Sequence, residues 1–176
     1  MVKRVAVSFF YPDPLFRLPF YICFGLIFEI LFTGIADLVS PRFLSSWRIK
    51  VPGGYHPTEV RRDPHAMGYT FLWMIPIYSL FVLIEPLRIL LQSWPLWCRG
   101  LVYLPTLWLA EYISGAVIKK LSGVCPWDYS HSRFSLHGYI RWDFAPLWYG
   151  LTILLDGWFV KKLLLLTPAL KTAFFP

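Results

Sequence analysis

Acidic side chains within long apolar segments are the residues of this 176-residue chain best suited to chemistry. Five of them lie in such segments or at their edges: Glu29, Glu85, Glu111, Asp143 and Asp156. An ionisable side chain at the bilayer centre costs about 2.5–3.5 kcal/mol on insertion scales, so its presence there indicates a functional site by default. Carboxylates that share a site of low dielectric repel one another when ionised. Such a group predicts a proton or cation site, or a general acid–base pair.

The segment Cys125–Ser130, which reads CPWDYS, combines a thiol, a carboxylate and two aromatic rings between two apolar segments. Trp127 and Tyr129 are amphipathic and suit a membrane interface, while Asp128 is placed to face inward or to cap the next turn. Cys125 and Ser130 are candidate nucleophiles, but neither stands in a GxSxG motif or near an identifiable base. The segment therefore predicts a cap over the ends of helices, with its chemistry unassigned.

Metal binding is not predicted from the histidines and cysteines. His131 and His137 are six residues apart with Asp128 close in sequence, and this is not a standard zinc spacing. The three cysteines are scattered and form no CxxC pair. We therefore expect no metal and no cofactor.

The composition is that of a membrane protein. Hydrophobic residues make up 57% of the chain and charged residues 15%, against about 45–50% and about 25% in soluble domains. A bilayer crossing needs about 20 apolar residues. The predicted fold is all-α, a polytopic membrane protein with a four-helix transmembrane bundle in a single domain over residues 1–176. The predicted spans are about 18–39, 68–91, 97–118 and 138–166, with a long loop at 40–67 and a motif loop at 121–137.

The net charge of +7 has a membrane explanation. In a soluble protein it would suggest nucleic acid, but the basic residues here mostly flank the apolar segments. At those positions they suit membrane topology and anionic headgroups. We expect the lipid bilayer as a partner, and a second copy or another membrane protein as a further one, but no nucleic acid.

Depth along the helices divides the acids into two groups. A helix rises about 1.5 Å per residue, which puts Glu29 roughly 16 Å into its span, near the bilayer midplane. The predicted polar pocket, on the half that carries CPWDYS, contains the acids Glu29, Glu111, Asp128 and Asp143. The side chains predicted to support it are Arg99, Trp127, Tyr129 and Arg141. The opposite half contains a second acidic site, Glu85 and Asp156, with Arg88, Arg99 and the C-terminal lysines nearby.

A purely structural role for the same acids stays open. They would then pair with Arg99, Arg141 and indole or phenol donors and specify helix packing. Glu85 and Arg88 are three residues apart, a spacing that allows an ion pair on one helix face. The repeated prolines of the 40–67 loop favour a solvated connection, and a lid over the bundle is the alternative.

The stretch from Arg99 to Ser130 contains a pattern of its own: an arginine that opens a span, an acid before an aromatic residue, a small glycine and then WDYS. With GLIFEILFT around Glu29 and the pair Asp143-Phe144, this pattern resembles the small membrane family catalogued as putative ABC-transporter type IV proteins. The resemblance implies a transporter-like membrane protein, although the chain has no nucleotide-binding motif of its own.

The predicted function is that of a transporter-like protein or accessory permease component with an acidic intramembrane pocket. Its predicted location is the inner (cytoplasmic) membrane of the cell, which it crosses several times. A membrane-embedded enzyme of lipid metabolism and a structural or interaction protein are the alternatives. The sequence does not decide whether the chain is an enzyme.

Overall fold

The computed structural model describes residues 11–39, 68, 70–130 and 132–174. These residues are mostly helical and form four helical runs. The predicted loop at 40–67 and the metal candidate His131 lie outside the described residues.

The first run is α1, Pro14–Val39. It begins at Pro14, four residues before the predicted span. Proline has no amide hydrogen, and at the first position of a helix that hydrogen would have no acceptor within the helix. Asp13 precedes it with a φ of 61° and so breaks the chain direction just before the helix. Pro19 is tolerated within the helix near its start.

The second run contains α2, Met74–Ser79, a 3₁₀ segment, Leu80–Leu83, and α3, Ile84–Leu90. The sequence predicts a kink at Pro76, but Pro76 lies in the first turn of α2, where a proline disturbs no helical hydrogen bond. The chain leaves α geometry instead in the 3₁₀ segment just before Pro86. In a regular α-helix the ring of Pro86 would clash with the backbone carbonyl four residues earlier.

The third run is α4, Leu96–Ser122, which has 27 residues and is therefore about 40 Å long. Pro95 precedes it in an extended conformation, and Gly123 ends it with a φ of 81°. This left-handed conformation is the usual helix stop and favours glycine. Lys119 and Lys120 lie in the last turn, where positive charge suits the helix dipole.

A small hairpin follows the CPWDYS segment. Strands β1, Ser135–Leu136, and β2, Ile140–Arg141, pair in antiparallel fashion. His137 and Gly138 make the turn with φ values of 53° and 82°, and tight hairpin turns require such positive values. The all-α prediction did not include this hairpin, because strands of two residues have no detectable alternation.

The last run passes through a 3₁₀ turn at Trp142–Phe144, α5 at Ala145–Leu154, a π-helical segment at Leu155–Val160 and α6 at Lys161–Phe174. The sequence predicts a helix that ends before Pro168. The helix in fact continues through Pro168 to Phe174. Leu163 of α6 belongs to the same buried cluster as Tyr21 of α1, and Lys171 pairs at the surface with Asp13, which precedes α1.

Two buried clusters hold the runs together. One contains Tyr21, Ile84, Tyr103, Leu155, Val160 and Leu163. The other contains Met74, Ile118, Cys125, Trp127, Tyr129 and Phe144, and so joins the CPWDYS segment to the helices. The two clusters lie towards opposite ends of the helices, because α4 contributes Tyr103 to one and Ile118 to the other.

The outward faces of the helices are apolar. Ile27, Leu31, Leu101, Leu109 and Ile113 are each more than half exposed, an amount of apolar surface that soluble monomers rarely show in one patch. Pro14–Ile35 and Leu96–Ser122 are long and apolar enough to cross a membrane, with mean hydropathies of 2.0 and 1.4. Only 22% and 17% of their most apolar windows are buried, so they are not core helices of a soluble domain.

Candidate functional site

A cavity of about 170 Å³ lies among the four helical runs. Glu29 of α1 and Glu111 of α4 both line it. Its other walls are mainly aromatic and aliphatic, with hydroxyl groups from Tyr78, Thr106 and Thr152. Among the described residues that line it, none is lysine, arginine or histidine.

The Glu29 carboxylate is held from the second helical run. Thr70 donates a hydrogen bond to it, and the hydroxyl of Tyr78 also interacts with it. Gly25 lies one turn before Glu29, and a Cβ at Gly25 would overlap the ring of Tyr78. Glycine at this position therefore lets the Tyr78 ring pack directly on α1, which brings its hydroxyl to Glu29.

The Glu111 carboxylate also lines the cavity, and it has fewer hydrogen-bond partners than Glu29. Its Oε2 atom is fully buried and has no hydrogen-bond partner in the part of the chain that the structure describes. Tyr78 and Tyr129 interact electrostatically with both Glu29 and Glu111, so the two acids face a common space. A buried carboxylate oxygen without a donor costs free energy. The indole Nε1 atom of Trp148, which also lines the cavity, likewise has no hydrogen-bond partner among the described residues.

The CPWDYS segment closes the cavity on the side where α4 ends. Pro126, Trp127 and Tyr129 line the cavity. The indole nitrogen of Trp127 donates to the carbonyl of Tyr139 at 3.0 Å, and the backbone amide of Tyr129 donates to the carbonyl of Gly138 at 2.9 Å. The hairpin therefore fixes the position of both aromatic rings.

Cys125 and Tyr129 are poor candidates for proton chemistry. The Cys125 thiol is buried and donates to the carbonyl of Trp127 at 3.3 Å. Burial raises the pKa of Cys125 to about 11, so the thiol stays protonated near neutral pH and is a weak nucleophile. Burial also raises the pKa of the Tyr129 phenol well above its ordinary value.

Asp128 and Asp143 do not line the cavity, in contrast to the prediction. The Asp128 Oδ1 atom accepts a hydrogen bond from the backbone amide of Ser130 at 2.9 Å, an Asx turn that short acidic side chains readily form. Asp143 pairs with Arg141, whose Nε donates to its Oδ1 atom at 2.9 Å. Arg141 itself lies over the rings of Phe144, at 4.3 Å, and Tyr129, at 5.9 Å.

The second acidic site is fully paired. Glu85 is completely buried and accepts hydrogen bonds from Arg17 Nε at 2.7 Å, from Arg17 Nη2 at 2.6 Å and from the Tyr21 hydroxyl at 2.8 Å. The fork of the Arg17 guanidinium matches both carboxylate oxygens, which is the strongest arrangement of this pair. The sequence analysis offered Arg88 as the partner of Glu85 and missed Arg17. Arg17 lies in the first turn of α1, at the end of the bundle where α3 ends, and this position makes it available to Glu85.

Asp156 is also completely buried and is held by two arginines. Its carboxylate pairs with Arg88 and, at 2.8 Å, with Arg99 Nη1, and it accepts a hydrogen bond from the Tyr103 hydroxyl at 3.1 Å. Asp156 lies in the π-helical segment, and its backbone carbonyl accepts a further bond from Arg88 at 2.7 Å. Arg99 thus belongs to this site and not to the cavity, where it had been predicted to give support.

A profile of the family described as "Putative ABC-transporter type IV" matches residues 16–171. The chain belongs to this family. The matched range contains Arg17, both cavity acids and both paired acids. No solved structure matches the chain.

The type IV family description and the two long apolar helices agree on a transporter-like membrane protein. For this family member, the described residues contain no group of three or more His, Cys, Asp or Glu side chains that could hold a metal ion. His137 instead lies beside the Tyr112 hydroxyl, with its Nδ1 atom at 2.7 Å.

Proposed function

We propose that this protein is a four-pass membrane protein that holds a small solute between Glu29 and Glu111, as a transporter or as the accessory subunit of one. The observation that carries the proposal is the buried, unpartnered Oε2 atom of Glu111 in a cavity lined from all four helical runs. Every other acid discussed above has a hydrogen-bond or ion-pair partner within the described residues.

The spacing of charged residues supports crossings by the third and fourth helical runs. Arg99 and Lys119 are twenty residues apart on α4, or about 30 Å along a helix, which is the thickness of the hydrocarbon core. Asp143 and Lys161 are eighteen residues apart on the last run, or about 27 Å. Glu111 lies twelve residues from Arg99, which places it about 18 Å deep, close to the midplane.

The alternative functions have less support. A lipid-directed enzyme needs an activated nucleophile, and Cys125 is protonated at neutral pH because its pKa is about 11. A purely structural role suits Glu85 and Asp156, whose oxygens are paired with arginines. It does not account for Glu111, because a packing acid would be expected to have a donor.

The proposal requires that the cavity admits water and solute, and cysteine labelling tests this. In a chain with Cys23→Ser, Cys98→Ser and Cys125→Ala, Ala110→Cys places a thiol on the cavity wall. Leu109→Cys is the matched control, since Leu109 is the preceding residue and is 60% exposed on the outer face.

We expect the thiol at position 110 to react with a small water-soluble methanethiosulfonate about tenfold or more faster than the thiol at 109, because thiols in hydrocarbon do not ionise. The labelling is carried out on protein in a lipid bilayer, and mass spectrometry follows the labelled fraction over time. Size-exclusion chromatography checks that each variant is folded. Equal, slow labelling of both variants would mean a closed interior and would overturn the proposal.

A further inference from the structure

The two acids of the cavity, Glu29 and Glu111, have no cationic partner among the described residues that line it. The second acidic site differs in this respect, because Glu85 there forms an ion pair with Arg17. An acid in a low-dielectric site that lacks a protein cation is complementary to a cationic ligand.

The walls are suited to an organic cation. Nine aromatic side chains line the cavity, among them Tyr78, Trp127, Tyr129 and Trp148. Aromatic faces attract a desolvated ammonium group, and cages of such rings recognise quaternary ammonium ligands. Hard metal ions instead require six or more oxygen ligands, or retained water, and the predominantly apolar wall does not offer them.

The size and the apolar end of the cavity limit the ligand. A volume of about 170 Å³ is well below the range of about 300–1,000 Å³ that is typical of sites for drug-sized ligands. Leu83, Leu87 and Leu155 also line the cavity. Leu87 and Leu155 pack with the buried cluster that does not include the CPWDYS segment, and a short alkyl chain would fit against them.

We infer that the solute of this cavity is a small organic cation, an ammonium group with a short alkyl chain. Its charged end lies between Glu29 and Glu111 within the aromatic side chains, and its alkyl end lies among the leucines. This inference rests on the proposed function, since it names the class of solute for the same cavity.

Binding of three matched compounds tests the charge requirement. The purified full chain in lipid nanodiscs is titrated by calorimetry with butyltrimethylammonium, with the neutral analogue in which carbon replaces nitrogen, and with butanesulfonate. We expect the ammonium compound to bind about tenfold or more tighter than the neutral analogue, and the anion not to bind. Equal affinity for the charged and neutral compounds would overturn the inference.

Substitutions of the acids locate the binding site. Glu29→Gln and Glu111→Gln should each weaken ammonium binding by about tenfold or more, because each removes a negative charge from the cavity. Asp13→Asn is the matched control, since Asp13 belongs to a surface pair and is 41% exposed, and it does not line the cavity. The affinity of this variant should be that of the wild type. Unchanged affinity in both glutamine variants would contradict the inference.

Protection from labelling separates this inference from the proposed function and keeps both native acids. Butyltrimethylammonium should slow methanethiosulfonate labelling of the thiol at position 110 with the same concentration dependence as the calorimetric binding. If that thiol is reactive but the ammonium compound neither binds nor protects it, the solute class is wrong and the proposed function stands. If the thiol is unreactive, both are wrong.

Discussion

Glu85 and Glu111 are the same residue type in neighbouring helices, yet their surroundings have opposite consequences. Glu85 has both oxygens bound by Arg17 and by Tyr21. Glu111 has a buried oxygen without a described partner. A buried ion pair is strongly destabilised when one member is removed, because the other charge stays buried without compensation. The two glutamates should therefore respond differently to the same substitution.

The first prediction concerns the Arg17–Glu85 pair, in which both side chains are at most 1% exposed. Arg17→Met should lower the free energy of unfolding by about 3–5 kcal/mol, because it leaves the Glu85 charge alone. The double variant Arg17→Met, Glu85→Leu should recover much of that loss. Denaturation in mixed micelles measures both.

The exposed pair Asp13–Lys171 provides the control for that measurement. Its side chains are 41% and 42% exposed, so Lys171→Met should cost only about 0–1 kcal/mol. A loss for Arg17→Met no greater than this control would show that the buried pair contributes little.

The second prediction is that Glu111→Gln leaves the thermal midpoint unchanged or raises it. The substitution keeps the shape of the side chain and breaks no described hydrogen bond at Oε2. Glu85→Gln should lower the midpoint, because it replaces a carboxylate that accepts three hydrogen bonds. A fall of equal size in the two variants would contradict this assignment.

The third prediction concerns the reactivity of Cys125. Because burial raises the pKa of Cys125 to about 11, its thiolate fraction at pH 8 should be about a hundredfold lower than that of an ordinary thiol. The burial of the neutral thiol contributes stability below about pH 9, and this contribution is lost as pH rises towards about 11. Mass spectrometry of alkylation should show Cys98 modified first, and Cys125 only at high pH or on unfolding.

Depth arithmetic applies to residues on long helices and not to residues in turns. Glu29 and Glu111 reach the same cavity because helix rise is constant. Asp128 and Asp143 were predicted to join them, but a local turn and a neighbouring arginine satisfy these short side chains first. Depth also places Arg99 beside the second acidic site, where it pairs with Asp156. Depth does not give the lateral position around a helix axis, which depends on how whole helices pack.

At the scale of the elements, the contact between α1 and α2 depends on one glycine. Gly25 lets the Tyr78 ring lie directly on α1, and so positions a wall of the cavity. Helix contacts in membranes are often made by small residues, which allow close approach. The cavity is therefore sensitive to a single methyl group at this contact.

The fourth prediction is that Gly25→Ala displaces Tyr78 and disrupts the cavity. Labelling of the thiol at position 110 should then change by about tenfold, and the thermal midpoint should fall, because the added Cβ overlaps the ring. Gly150→Ala is the matched control, since a Cβ there meets nothing within 4 Å. It should be neutral or slightly stabilising, because alanine is the better helix former.

The helices themselves were predictable from apolar length, while their interruptions were not. The sequence locates the runs of α1 and α4 because about 20 apolar residues have few alternatives in a bilayer. It does not locate the 3₁₀ segment before Pro86 or the π-helical segment around Asp156. The π-helical segment depends on tertiary partners, here the two arginines that bind Asp156.

At the scale of the whole molecule, the two acidic sites lie at different depths of the bundle. The paired acids Glu85 and Asp156 lie near the end that begins α1 and α4, together with their arginines. The cavity acids lie about 18 Å from that end, and the CPWDYS segment closes the opposite side. Charge is thus neutralised at one end and left unbalanced at mid-depth.

The fifth prediction concerns the topology of the chain. Four crossings return the C-terminus to the side of the N-terminus, and the CPWDYS segment then lies on the other side. Reporter enzymes or split fluorescent tags fused to each terminus should therefore report the same compartment, while a tag inserted after Ser130 should report the opposite one. Termini in different compartments would require an odd number of crossings and would overturn the four-pass proposal.

The π-helical segment Leu155–Val160 also has a consequence for ancestry. A π-turn contains one residue more than the α-turn it replaces, so a single inserted codon in an older, regular helix would account for it. Relatives that keep an acid corresponding to Asp156 should keep this longer segment, together with arginines corresponding to Arg88 and Arg99. Relatives that are one residue shorter in this segment should lack both the acid and the two arginines. A one-residue gap in a sequence alignment would then mark the relatives that diverged before the ion pair arose.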